Sequence, residues 1–145
     1  MANLVPYAFP VELLSGNHNF ASDNFKLALY TTSPYTTAST VYDATGETTG
    51  TEYSATGNTL TGNAVSNVAN YATVDFTDSV WGSPTPATFS AAYGALYNSS
   101  ATNKLVVILD FGGTKSCSNG TFTVTFPSPT SGAPSGSDAL LSIQS

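Results

Sequence analysis

Hydrophobic side chains recur at every second position through much of the chain from Phe25 onward. In "FKLALYT", residues 25–31, Phe25, Leu27 and Leu29 alternate with Lys26, Ala28 and Tyr30. That period predicts an opening strand with one apolar face. Lys26 then lies opposite the apolar positions, its stem covering apolar surface and its charge pairing with an acid on a neighbouring strand or subunit. In "YATVDFT", 71–77, Ala72, Val74 and Phe76 share a face. In "ATFSAAYGALY", 87–97, Phe89, Ala91, Tyr93, Ala95 and Tyr97 do the same, and Gly94 marks a bulge or a close backbone approach. "LVVILDF", 105–111, is continuously apolar, which predicts a strand covered on both faces at the centre of a sheet. "TFTVTFP", 121–127, presents Phe122, Val124 and Phe126 on one face. It is expected to pair with 105–111 across a polar loop, "GGTKSCSNG", at 112–120. "NTLTGNAV" at 58–65 and "ALLSIQ" at 139–144 read as two further strands.

Between these runs the pattern lapses. Residues 35–57 are rich in Thr, Gly and Ser, with Tyr35, Tyr42 and Tyr53 as isolated aromatic anchors and room for short strands near 40–43 and 51–53. Residues 128–137 form a Pro/Gly/Ser linker. Residues 1–20 show no period. Pro6 and Pro10 oppose a long helix, and "VELLSG" allows about one helical turn ending at Gly16. About seven or eight short strands separated by turn signals predict an all-β chain. The expected form is a single antiparallel β-sandwich (Greek-key or jelly-roll-like) over 21–145, with 1–20 as an extended N-terminal arm. Leu4, Val5, Tyr7, Phe9, Val11 and Leu13 would leave apolar surface exposed on an isolated sandwich. They are therefore expected to bury against another subunit rather than fold back onto the chain's own core.

Composition narrows the functions. The chain has 145 residues, enough for one core without metals or disulfides. Only 8% of residues are charged, against about 25% in ordinary soluble domains, which suits a surface covered by partners. The net charge is −6, and Lys26, Lys104 and Lys115 are the only basic residues apart from His18. Phosphate contacts dominate nucleic-acid affinity, so no nucleic acid is expected as a partner, and no anionic membrane for the same reason. No run of about 18 apolar residues predicts a membrane span, and the N-terminus lacks the basic segment of a secretion signal. The single cysteine, Cys117, precludes an internal disulfide and fits a reducing compartment.

Candidate chemistry is sparse. His18, in "SGNHNF", is the only histidine. A triad needs a base beside a nucleophile and a catalytic zinc needs several ligands, so His18 reads as a solvated loop or strand-edge residue. Paired carboxylates could cleave glycosides, but the acids are scattered. Asp110 stands out because it follows a buried strand, and the plain expectation for it is bonding to loop amides or to a lysine. "DATGETTGTE" lacks the spacing of a calcium loop, and "DFGGTK" has no phosphate-loop spacing. Cys117 lies near Lys115, which would lower a thiol's pKa, yet an isolated loop cysteine is more often incidental. Trp81 either plugs one end of the core, the better supported reading, or anchors a partner or sugar. No metal, no cofactor and no catalysis are expected.

Several segments, in order, carry a resemblance: "SGNHNFASDNFKLALYTTSPY", "GTEYSATGNTLTG", "VDFTDSVW", "AAYGALYN" and "NKLVVILDFGGTKSCSNGTFTVTFP". The chain resembles a group of small virion proteins of tailed bacteriophages. Shared features are the opening strand Asp23 to Tyr30, the Gly50 to Gly57 stretch and the Asp110 to Lys115 turn. The resemblance spans 14–127. Asn58 stands where a second glycine is common, and 128–137 looks like an addition. The resemblance implies a capsid decoration or cement protein, localised in the virion and assembled in the host bacterial cytoplasm. Its partner would be the major capsid protein, and it would act as a homo-oligomer, with a trimer favoured. The alternative is a tail or tail-fibre component with a carbohydrate-binding surface built on Trp81, Tyr35 and Tyr42. A small hydrolase is the least favoured reading, and the resemblance carries over no catalytic residue. The expected partner-binding residues are Leu4, Val5, Tyr7, Phe9, Val11, Leu13 and Trp81.

Overall fold

The computed structural model describes residues 3–68, 71–127 and 141–144. Among them strands dominate, with one short helix, α1 (Ala8–Leu14). The strands are β1 (Phe25–Tyr30), β2 (Asn58–Thr59), β3 (Ala64–Val68), β4 (Tyr71–Asp75), β5 (Ser79–Trp81), β6 (Ala87–Asn98), β7 (Lys104–Gly120), β8 (Phe122–Val124) and β9 (Leu141–Gln144). All named pairings are antiparallel. They form a four-stranded sheet in the order β2-β1-β6-β7, a three-stranded sheet β3-β4-β9 and a two-stranded sheet β5-β8.

In the four-stranded sheet, β1, the second half of β6 and Leu105–Ile108 of β7 are buried on both faces. Phe25, Leu27 and Leu29 of β1 enter a large aromatic and aliphatic cluster, joined by Phe76 and by Trp81, Phe122 and Val124 of the small sheet. Ala28 and Tyr30 point the other way, into a second cluster with Tyr35, Tyr97, Leu105 and Ile108. The alternation read from the sequence is therefore real, but both sides of β1 are interior. Lys26 alone is half-buried, and its ammonium donates to Thr56 Oγ1 at 2.6 Å rather than to the expected acid. In β6 the expected single face breaks at a register shift between Ala91 and Tyr93. Phe89 and Ala91 join the first cluster, and Ala95 and Tyr97 join the second. Gly94 does mark a close approach, since a Cβ there would lie 3.1 Å from both Leu27 Cδ1 and Phe111 Cζ.

The apolar run 105–111 is buried over Leu105–Ile108, yet β7 is the last strand of its sheet rather than the centre. Its outer edge is covered by irregular chain. Leu4 and Ile108 exchange two backbone hydrogen bonds of 2.8 Å, and Leu105 donates to Thr40 O at 3.0 Å. The expected hairpin with 121–127 is replaced by a hairpin with β6. Asn98 closes the 99–103 turn by accepting from the Ser100 and Ala101 amides, and Thr102 and Asn103 take positive φ. Residues 112–120, expected as a loop, lie within β7, where Lys115, Ser116, Cys117 and Gly120 pair with β6 beyond an irregularity after Asp110. Their polar composition goes with exposure, and Gly112, Gly113 and Asn119 take positive φ at the irregularities of the strand. Residues 122–124 pair with β5 instead.

The expected extended arm is also corrected over its described residues. After the Leu4 bridge the chain turns into α1, which packs on the body. Pro10 is the third helical residue, where its missing N–H costs no intrahelical bond. Gly16 at φ +76° ends the helix, with Gly16 N–H donating to Leu13 O and Asn17 N–H to Glu12 O. This 5→2 and 6→1 pair is the Schellman termination. Strands near 40–43 and 51–53 reduce to single bridges, Val41 with Lys104 and Thr51 with Thr88. The linker 128–137 lies outside the described residues.

Candidate functional site

Helix α1 divides its side chains between two faces. Phe9 is buried among the core aromatics, and Leu13 packs against the same cluster. Tyr7, Val11 and Leu14 fall at i, i+4 and i+7, the spacing of one helix stripe. They are 74%, 65% and 90% exposed. Val5, just upstream, is exposed as well. It lines a groove of about 740 Å³ between β7 and the 121–127 segment, with Leu109, Phe111, Phe122 and Phe126 among its walls. The chain thus presents a ridge of large apolar side chains on one helix stripe, and Val5 on the wall of a groove that polar residues also line.

The helix is fixed by a buried polar cluster. Glu12 accepts from the Lys104 ammonium at the start of β7 and lies 3.4 Å from His18 Nε2. The His18 side chain is fully buried, with Asn98 Nδ2 3.2 Å from its Nδ1. Asn98 Nδ2 also donates to Asp23 Oδ2 at 2.7 Å. The imidazole packs in a triangle with Phe9, tilted against it at a centroid distance of 5.2 Å, and Phe20, stacked on it at 6.3 Å. Burial pushes its pKa below the ordinary histidine value, against the opposing pull of Glu12. His18 is therefore not the solvated residue expected from "SGNHNF". Both its nitrogens are occupied by the groups that hold α1.

The partner-binding residues named from sequence separate. Val5, Tyr7 and Val11 are exposed. Leu4, Phe9 and Leu13 face the chain's own core, which corrects their expected role as contacts to another subunit. For Trp81 the core reading holds and the partner contact does not. This residue is 3% exposed, with Tyr53, Phe89 and Phe122 around its ring at 6.1–6.3 Å. Its indole Nε1 is buried without a hydrogen-bond partner among the described residues. The proposed sugar platform loses its other members as well. Tyr35 is buried, and Tyr42 stacks on Tyr97 at 4.8 Å. Leu14, the most exposed member of the stripe, escaped the sequence reading because Pro10 hid the helix that aligns it with Tyr7 and Val11.

Asp110 and Cys117 both lie on β7. Asp110 Oδ1 accepts from the Gly112 amide at 2.8 Å, the loop-amide bonding expected for it. Cys117 lies within β7, half-buried, its thiol 3.7 Å from Phe89 O. Among the described residues no group of three or more His, Cys, Asp or Glu is arranged to hold a metal, and no helix is long and apolar enough to cross a membrane. Comparison with known protein families, with curated proteins and with solved structures gave no match.

Proposed function

We propose that this chain is a structural virion protein of a tailed bacteriophage, which decorates the capsid and bridges major capsid protein subunits without catalysis. In this reading the four-stranded sheet and the two smaller sheets form one antiparallel β-sandwich, and copies assemble as a homo-oligomer, a trimer by preference. The observation that carries the reading is the Tyr7, Val11 and Leu14 ridge. Three large apolar side chains stand exposed on a helix that the body already holds rigid. Burying one such side chain contributes about 1.5–3 kcal/mol. A pre-ordered helix spends little of that gain on ordering, unlike an extended arm. A protein that binds assembled shells but not free coat subunits stabilises the shell by mass action. The low charge density and the resemblance described above point the same way.

The direct test mixes purified chain with undecorated capsids and follows occupancy and shell melting temperature. The double variant Val11→Asp, Leu14→Asp should bind at much lower occupancy and give no rise in shell melting temperature, while its circular dichroism stays native. Removing residues 2–13 would not isolate the ridge, because Phe9 is a core residue and Leu13 packs against the core. Binding undiminished in the double variant would remove the ridge from the mechanism. Binding of the native chain to isolated tails but not to capsids would transfer the protein to the tail.

A further inference from the structure

The buried cluster beneath α1 has a fixed protonation pattern, and the pattern follows from Asn98. The Asn98 Oδ1 accepts two backbone N–H groups, from Ser100 at 3.0 Å and Ala101 at 3.1 Å. Its amide nitrogen must therefore face inward, where it donates to Asp23 Oδ2 and meets His18 Nδ1. A nitrogen facing an amide N–H can only accept. His18 is thus the neutral Nε2–H tautomer, with that N–H directed at Glu12.

We propose that His18 is an acid-sensitive latch for α1: neutral, it holds the helix and its apolar ridge against the body, and protonated, it releases them. The proton has one place to go, Nδ1, and there it opposes the Asn98 amide N–H. Asn98 cannot rotate to offer oxygen without abandoning two backbone donors and Asp23. The imidazolium must leave its site, and two of its neighbours, the Phe9 ring tilted against it at 5.2 Å and its partner Glu12, belong to α1. The charged groups around the ring are Glu12 on α1, Lys104 at the start of β7 and Asp23 before β1. Lys104 opposes the extra charge and the two carboxylates favour it. Burial is the largest influence and opposes it. The sign follows: a histidine whose folded pKa is depressed contributes stability that is complete above the unfolded value of 6.5 and is lost as pH falls below it. The consequence for docking rests on the decoration reading, but the latch itself belongs to the isolated chain.

Two measurements on the full chain test it. Ring nitrogen NMR should show His18 as the Nε2–H tautomer, titrating below the ordinary histidine value. An Nδ1–H tautomer, or a midpoint at or above that value, would overturn the proposal. Amide exchange of residues 8–17, corrected for intrinsic chemistry, should be measurably faster at about pH 5 than at about pH 7.5, because the folded chain then holds fewer protons on His18 than the opened one. His18→Gln should remove the acceleration while leaving any carboxylate contribution. Should that variant not fold, the two measurements on the native chain still decide. Equal protection of α1 at both pH values would refute the latch even if capsids bind. A pH-dependent helix on a chain that binds no capsid would keep the latch and remove the decoration reading.

Discussion

The two faces of the four-stranded sheet are covered in different ways, and their chemistry differs accordingly. One face meets β-strands and α1. Strands and helices satisfy their own backbone groups, so this face can be dry. Phe20, Phe25, Phe76, Phe89, Phe122 and Phe126 occupy it, with Phe20 and Phe25 stacked at 4.7 Å. The other face lies under residues 31–57, which contain no named strand. Irregular chain over a core leaves amides and carbonyls that need partners, and tyrosines provide them. Tyr30 donates to Asp43 O at 2.7 Å, and Tyr35 accepts from the Asp43 amide at 2.9 Å. Glu47 gathers the Tyr42 hydroxyl, the Thr56 amide and the hydroxyl of Tyr53, whose ring packs against the dry-face cluster, at 2.5–2.7 Å. Tyr97 donates to Thr56 O at 2.8 Å. A tyrosine supplies apolar area and a hydrogen bond together, which is what a loop-covered face requires.

The contrast can be broken from either side. The largest effect is expected on the dry face, where Phe25→Ala should cost about 3–5 kcal/mol in denaturant unfolding, because it opens a cavity in fully packed surroundings. A loss below that of any wet-face variant would reverse the contrast. On the wet face Glu47→Ala should cost about 1–3 kcal/mol by stranding three donors. Its mark is local: amide exchange should rise within 42–57 while the β6–β7 hairpin stays protected. Tyr53→Phe removes one hydroxyl bonded to both Glu47 and the Leu29 amide, and about 1 kcal/mol is expected from unfolding midpoints.

Alkali sharpens the same comparison. Burial raises the pKa of Tyr30, Tyr35, Tyr42 and Tyr53 above 10.0 and pushes Tyr97 up to about 12. A raised folded pKa contributes stability that is complete below the unfolded value of 10.0 and lost as pH climbs through the folded values. Unfolding above pH 10.0 should coincide with phenolate absorbance from these tyrosines, and ionisation of all of them in a still-folded chain would contradict the buried network. The smallest effect is expected on the ridge. Leu14→Asp should change stability by no more than about 0.5 kcal/mol, even though it is chosen to abolish docking.

What the sequence showed most clearly was local period. The opening strand at 25–30, the long strand through 87–98, the last strand near 141–144 and a helical turn ending at Gly16 were all readable, because side-chain alternation and a left-handed glycine are properties of neighbouring residues. Exposure misled where polarity was taken for loop, as in 112–120, which is a solvated strand. The candidate surface was half legible. Val5, Tyr7 and Val11 were named from their apolarity, but their separation from Phe9 and Leu13 needed the helix.

Residue types and spacing by themselves determined a β-rich chain with few charges, apolar residues concentrated near the N-terminus and a single histidine. Tertiary structure alone decided that β7 pairs with β6 while β8 joins β5. It also decided that β7's outer edge is covered by Leu4 and the 40–42 segment. His18 shows the reason most plainly. Its partner Asn98 lies 80 residues away in sequence, and no local pattern encodes a contact whose geometry depends on how a hairpin turn, a helix and a strand end come to meet.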